Sequence, residues 1–314
     1  MLLIKTIQTL LPVFAVIGLG YLLTERRFLT GGFLNELNRL VYWVCLPALI
    51  LVSLDRARGL AGESLGIIGL YFGATFVVIA LAFVMARVLR LERWKVGTFV
   101  QGSFRGNLAF IGIPILLYAL RDLDEASVNR ILAQAVFVFA PTMILYNLVS
   151  VIVLVGGHQG LGRTALPGTL KNLATNPLIL AGLSGLLLYL LPLDLPVVVG
   201  DTLQFIGRMA APAALICVGG GMALTSMEGR YRSATYAACL KVFATPAVTY
   251  LLSLPFGLSD TSLLILMIFS ATPTAVASYI MAKELHGDPA MASGAIVLST
   301  LLSILSLSAV VMVF

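Results

Sequence analysis

The chain has 314 residues, 60% of them hydrophobic and only 11% charged, with a formal charge of +6 and a mean hydropathy of +1.03. Soluble domains are nearer a quarter charged, and so few charges cannot cover a water-soluble surface, which excludes a soluble globular protein. The basic residues sit in short loops between apolar runs and form no long basic tract, which argues against nucleic-acid binding and for an all-α, polytopic membrane protein.

A helix that crosses a bilayer needs about 20 apolar residues. Ten such stretches follow in order, at 4–23, 33–54, 65–89, 97–120, 129–155, 172–191, 198–225, 232–256, 261–284 and 289–313. The first, within MLLIKTIQTLLPVFAVIGLGYLL, has no clear small-residue cleavage site and reads as a retained helix rather than a signal peptide. Cys45, Cys217 and Cys239 lie inside apolar runs without metal-ligand spacing, so they read as small packing residues, and no metal or cofactor is expected. The longest connection, Gly156 to Gly168, is rich in glycine and contains Pro167, which suits a linker over 156–171 between two halves, 1–155 and 172–314.

Loops after odd-numbered stretches carry Arg26, Arg27, Arg90, Arg93, Lys95, Arg163, Lys171, Arg230, Arg232 and Lys283. Loops after even-numbered ones carry fewer cations, Arg56, Arg58, Arg121 and Arg130, beside Asp55, Asp122, Asp124, Glu125 and Asp260. The first set is expected in the cytoplasm, with both termini outside or in a periplasm.

The halves resemble each other. CLPALIL around Pro47 is matched by AAPAALI around Pro212, and Pro12 with Gly20 is matched by Pro177 with Gly185, both at an offset of 165 residues. Pro114 in the fourth stretch is matched by Pro273 in the ninth. With five helices per half, the second half must enter the membrane inverted, an arrangement found in secondary transporters.

Prolines 114 and 273 mark the two stretches expected to break. Gly106 and Gly112 loosen the fourth, GSFRGNLAFIGIP, and Thr272 and Thr274 flank Pro273 in FSATPTAVASY. Unwound backbone at membrane depth is tolerated only where protein or a wet cavity satisfies it, and half-helix N-termini there suit an anion. On helical spacing Ser103 and Asn107 share one face, Gln101 and Arg105 another, and Ser270, Thr274 and Ser278 a third. Asn107 is an amide that needs partners in lipid, whereas serine and threonine can bond their own backbone.

Arg105 lies ten residues past Lys95, roughly 15 Å into the membrane, where an arginine costs at least about 2.5–3.5 kcal/mol. Arg208 and Lys241 also fall within apolar stretches, and no acid lies equally deep; Glu36 is near a helix start beside Arg39. Such an imbalance fits either a water-filled, cation-lined cavity or an anionic substrate. Ser299, Ser303 and Ser306 in the last stretch, and Gly219, Gly220 and Gly221 in the seventh, read as packing surfaces.

With these motifs, with NPLILAGLSG opening the second half and with ATPTAVASYIMAKELHGDPAMASGAIVLSTLLS near the end, the whole chain resembles bacterial members of the auxin efflux carrier family. The resemblance implies the fold of bile-acid/sodium symporters: ten helices in two inverted five-helix repeats, a scaffold and a transport domain each drawn from both, and a crossing of helices 4 and 9 near Pro114 and Pro273. It implies that Asn107 meets a substrate carboxylate, that the protein is a homodimer, and that it moves small mono- or dicarboxylates such as malate or malonate. The expected function is a secondary transporter exporting organic anions by elevator-type alternating access. A sensor or channel without a transport cycle is the alternative. An intramembrane protease would need a base for Ser184 in Gly182-Leu183-Ser184-Gly185, and the only histidines are His158, in the linker, and His286, at the end of the ninth stretch.

Overall fold

The computed structural model describes residues 2–55, 61–156, 175, 177–190, 195–224 and 231–314. The expected linker beyond Gly156, with Arg163 and Lys171, lies outside the described residues, as do His158, Arg56, Arg58 and Arg230. The described chain is helical, without a β-ladder beyond one isolated bridge. Among the described residues, six helical segments are long and apolar enough to cross a membrane: Gly31–Val52, Gly66–Val88, Glu125–Gly156, Val197–Ala223, Tyr231–Phe256 and Pro289–Val313. Leu108–Ala119 and Asp260–Ala271 are shorter apolar helices, and Leu10–Glu25 is the apolar later part of a 24-residue helix that begins at Leu2.

In chain order α1 is Leu2–Glu25, α2 Gly31–Leu40, α3 Leu46–Asp55, α4 Ala61–Val88, α5 Arg93–Phe104, α6 Ile113–Ala119 and α7 Glu125–Gly156. There follow α8 Pro177–Leu190, α9 Val197–Gly207, α10 Ala210–Ala223, α11 Tyr231–Cys239, α12 Thr245–Ser253, α13 Asp260–Ala271, α14 Ala277–Glu284 and α15 Pro289–Val313.

Three interior prolines share one solution. Single π turns, Val41–Cys45, Leu108–Gly112 and Leu240–Ala244, end two residues before Pro47, Pro114 and Pro246. Each closes with a bond to the fifth residue back, from Leu46 to Val41, Ile113 to Leu108 and Thr245 to Leu240. The extra residue widens the turn whose carbonyl the proline ring would strike, so the helix bends and continues. Pro114 therefore sits in the first turn of α6 and is not itself the break expected there.

The helices pack as two groups. α1 makes its largest contact with α10, and α3 packs on α8 and α9. The α1–α10 seam is close: a Cβ on Gly219 would overlap the Ile17 carbonyl, and one on Gly220 would press on Leu34 and Thr24. In the second group α5 packs on α4, α7 and α11, and α15 lies against α11, α13 and α14. α3 meets α7, and α1 meets α6 and α15, where the groups touch.

Candidate functional site

The site is built where two helices stop short. α5 ends at Phe104, and Arg105 is extended (φ −77°, ψ 98°). α13 ends at Ala271, and Thr272 is extended (φ −60°, ψ 146°). The two loose strands lie antiparallel and share a bridge between Gly106 and Thr274. Asn107 N–H donates to the Pro273 carbonyl (2.8 Å), and Ala275 N–H donates to the Arg105 carbonyl (2.9 Å). Backbone that would otherwise be unsatisfied at this depth is thus paired across the crossing. Gly106 permits the approach, because a Cβ there would lie 2.6 Å from Thr272 Oγ1 and 3.2 Å from Lys241 Cε.

The predicted polar residues divide into two sets around this crossing. Arg105, Gly106 and Asn107 line a cavity of about 500 Å³. Gln101, Ser103, Thr272, Thr274 and Ser278 are fully buried behind it and do not line it. The face shared by Ser103 and Asn107 on helical spacing is not realised, because the helix stops between them. Ser103 Oγ instead donates to the Phe99 carbonyl, and Thr272 Oγ1 donates to that of Phe269. Thr274 ties the crossing together: its Oγ1 donates to the Gly102 carbonyl (2.7 Å), while its N–H donates to Ser299 Oγ (2.9 Å). Ser299 and Ser306, the latter donating to the Ala271 carbonyl, therefore brace the break rather than merely pack.

Two further candidates do not line the cavity. Arg208 lies between α9 and α10 and is exposed, since the turn that separates these helices sets it on the outer surface. Lys241 is fully buried, with Nζ on the Ser270 carbonyl (2.6 Å) rather than in the cavity or at a membrane face.

The cavity wall carries the chemistry of an anion site. Arg105 Nη2 donates to Asn147 Oδ1 (2.7 Å) and Nη1 to Ser150 Oγ (3.1 Å), so the guanidinium is held rigidly. Among the described residues no carboxylate forms an ion pair with it. Asn107 Oδ1 accepts from Phe110 N–H (3.3 Å), which caps the π turn after the break and leaves the amide nitrogen without an acceptor among the described residues. The backbone N–H groups of Leu108, Ala109, Val276 and Ala277 likewise have no acceptor among the described residues, and all four residues line the cavity. These are the first turns of the two second-half helices, whose positive dipole ends face the same space. One cation, one free amide and two helix starts together suit a carboxylate.

The rest of the wall was not expected at the site, and Cys217 and Gly221, expected only to pack, also line it. Asn35, Asn38 and Tyr42 come from one face of α2 and its π turn, Asn147 and Met143 from α7, and Cys217 and Gly221 from α10. Asn35, Asn38 and Tyr42 recur at i, i+3 and i+7, a polar stripe that helical spacing could have found. Asn147 is, like Asn107, an amide in a strongly apolar helix.

The sequence matches the membrane transport protein family over residues 5–160 and 161–311, a division that falls within the expected linker. A Rhizobium meliloti (strain 1021) protein named "Putative malonate transporter" is 26% identical over 300 residues, covering 94% of this chain and 91% of that one. An "Uncharacterized transporter" of Methanothermobacter thermautotrophicus is 23% identical over 312 residues, 98% of each chain. With a family match spanning nearly the whole sequence, the chain belongs to the membrane transport protein family, of the auxin efflux carrier type, and is a multi-pass membrane transport protein rather than an enzyme.

Proposed function

We propose that the protein is a secondary transporter that exports small organic anions, with the carboxylate held at the crossing by Asn107, Arg105 and the free N–H groups of the two half-helix starts. The single observation that carries this reading is the placement of Arg105 and Asn107 on the wall of a 500 Å³ cavity at the point where two broken helices pair their backbones. The malonate in the name of one relative supports the carboxylate class.

In this reading ten helices form two inverted five-helix repeats, residues 1–155 and 172–314, joined by the linker 156–171. The group containing α1, α3, α8, α9 and α10 is the scaffold, and the group around α5, α13 and α15 is the elevator that carries the crossing. The two groups of contacts support that division. The cavity wall runs from the crossing toward the start of α2 at Asn35, the end of α7 at Val151 and Leu224 just past α10. These ends adjoin the loops expected in the cytoplasm, which supports an inward-open state with both termini outside. An inside-negative potential then drives an anion outward with about 2.3 kcal/mol per charge per 100 mV.

The test is counterflow in proteoliposomes. Vesicles loaded with unlabelled malonate, malate or an indole acid should accumulate the labelled acid transiently, because a carrier returns only one solute at a time. Flux without counterflow would identify a channel, and saturable binding without flux a sensor.

A further inference from the structure

The second broken helix leaves its own loose end. α13 stops at Ala271, so carbonyls in its last turn lose the amides that would have met them four residues on. Thr274, the residue that would have served Ser270, turns its N–H to Ser299 instead. The Ser270 carbonyl is taken by Lys241 Nζ at 2.6 Å. Lys241 comes from the π turn Leu240–Ala244, is fully buried, and runs beneath the crossing, its Cε within reach of any Cβ placed on Gly106. Among the described residues no carboxylate pairs with it, and no cluster of His, Cys, Asp and Glu is placed to hold a metal ion.

A buried charge persists only where something compensates it. Here the compensation is a carbonyl oxygen at the negative end of a half-helix. In secondary transporters such C-terminal ends and unwound carbonyls are where a coupling cation is coordinated. Building on the transporter reading above, we infer that Lys241 is a tethered counter-ion: its ammonium fills the role of a coupling sodium, positions the end of α13 at the crossing, and leaves the carrier independent of sodium. A fixed cation is not released at the end of a cycle, so transport gains nothing from a sodium gradient.

Two measurements test this. In proteoliposomes with the potential held constant, replacing sodium by choline on both sides should leave the wild-type rate of labelled malonate flux within twofold. Lys241→Met keeps the stem without the charge and should be at least tenfold slower. The second measurement needs no transport. Purified Lys241→Ala, which leaves room at the carbonyl end, should melt at a higher temperature in sodium or methylammonium than in choline, whereas the wild type should melt alike in all three. Sodium-dependent flux or sodium-specific stabilisation of the wild type would overturn the inference, as would Lys241→Met at the wild-type rate. If the wild type moves none of the acids, the transporter reading fails by itself, and the melting experiment still decides the counter-ion. If the lysine variants do not fold, the wild-type sodium comparison decides it.

Discussion

The Asn107 main-chain N–H donates to the Pro273 carbonyl at 2.8 Å, so the residue that offers its side chain to the cavity is anchored by its main chain to the opposite half of the sequence. Any movement of one broken helix must carry the other with it. The Asn107 side chain is held more lightly, by one 3.3 Å bond to Phe110 N–H. Asn107→Ala keeps the backbone bond and loses the free amide. It should reduce carboxylate flux at least tenfold, about 1.4 kcal/mol or more in the rate-limiting barrier, with an unchanged gel-filtration profile. Asn107→Asp adds a negative charge beside the substrate and should be slower still. An Asn107→Ala protein with wild-type counterflow would remove this residue from the site.

Arg105 is held in a fork by Asn147 Oδ1 and Ser150 Oγ, and a lysine cannot reproduce two directed bonds from one planar group. Arg105→Lys should therefore retain the charge but raise the KM for a carboxylate. Arg105→Gln should raise it further and weaken the dependence of flux on substrate charge. Equal KM values for wild type and Arg105→Gln, measured in the same vesicles, would show that the guanidinium serves only to brace α7.

Some of this arrangement could be read from the sequence, and the limits of that reading are physical. Arg105 and Asn107 stand out because polar groups at membrane depth are costly, and Pro273 because it interrupts a helix. Helical spacing fails beyond Phe104, where there is no helix, and so it joins Ser103 to Asn107 wrongly. Pro114 misleads for the opposite reason: a π turn absorbs it, and the real break lies upstream at Arg105–Asn107. Hydropathy cannot tell that Arg208 faces outward while Lys241 reaches inward to a carbonyl 29 residues along the chain, since it does not see which face of a helix is covered. Asn35, Asn38 and Asn147 come together only where the fold sets α2 and α7 on the wall of one cavity.

The α1–α10 seam gives a prediction about helix packing rather than the site. The Gly219 Cα rests against the Ile17 main chain, so any side chain must push the helices apart. Gly219→Leu should destabilise the protein by about 1–3 kcal/mol through overpacking. In detergent this should lower the melting temperature, and flux per folded molecule should fall because the displaced α10 no longer holds the wall near Cys217. Gly18, which has open space where a Cβ would be, is the control: Gly18→Ala should leave both properties near wild type.

Cys217 supplies a native reporter of which way the cavity faces. It lines the cavity from α10 and is half-buried, whereas Cys45 is buried in the core and Cys239 lies on α11 away from the wall. In a Cys45→Ala, Cys239→Ala background, a membrane-impermeant maleimide added from the cytoplasmic side should label Cys217, because the cavity ends adjoin the arginine-bearing loops. If the proposed alternating access operates, the same reagent from the other side should label it slowly, at a rate set by excursions to an outward-open state. A transported carboxylate should protect Cys217 from the cytoplasmic reagent, and that protection should vanish in Asn107→Ala, which loses the amide that would hold the acid nearby. Fast labelling from the outside alone would reverse the assigned orientation. Protection that survives in Asn107→Ala would place the acid elsewhere in the cavity, toward the stripe formed by Asn35, Asn38 and Tyr42.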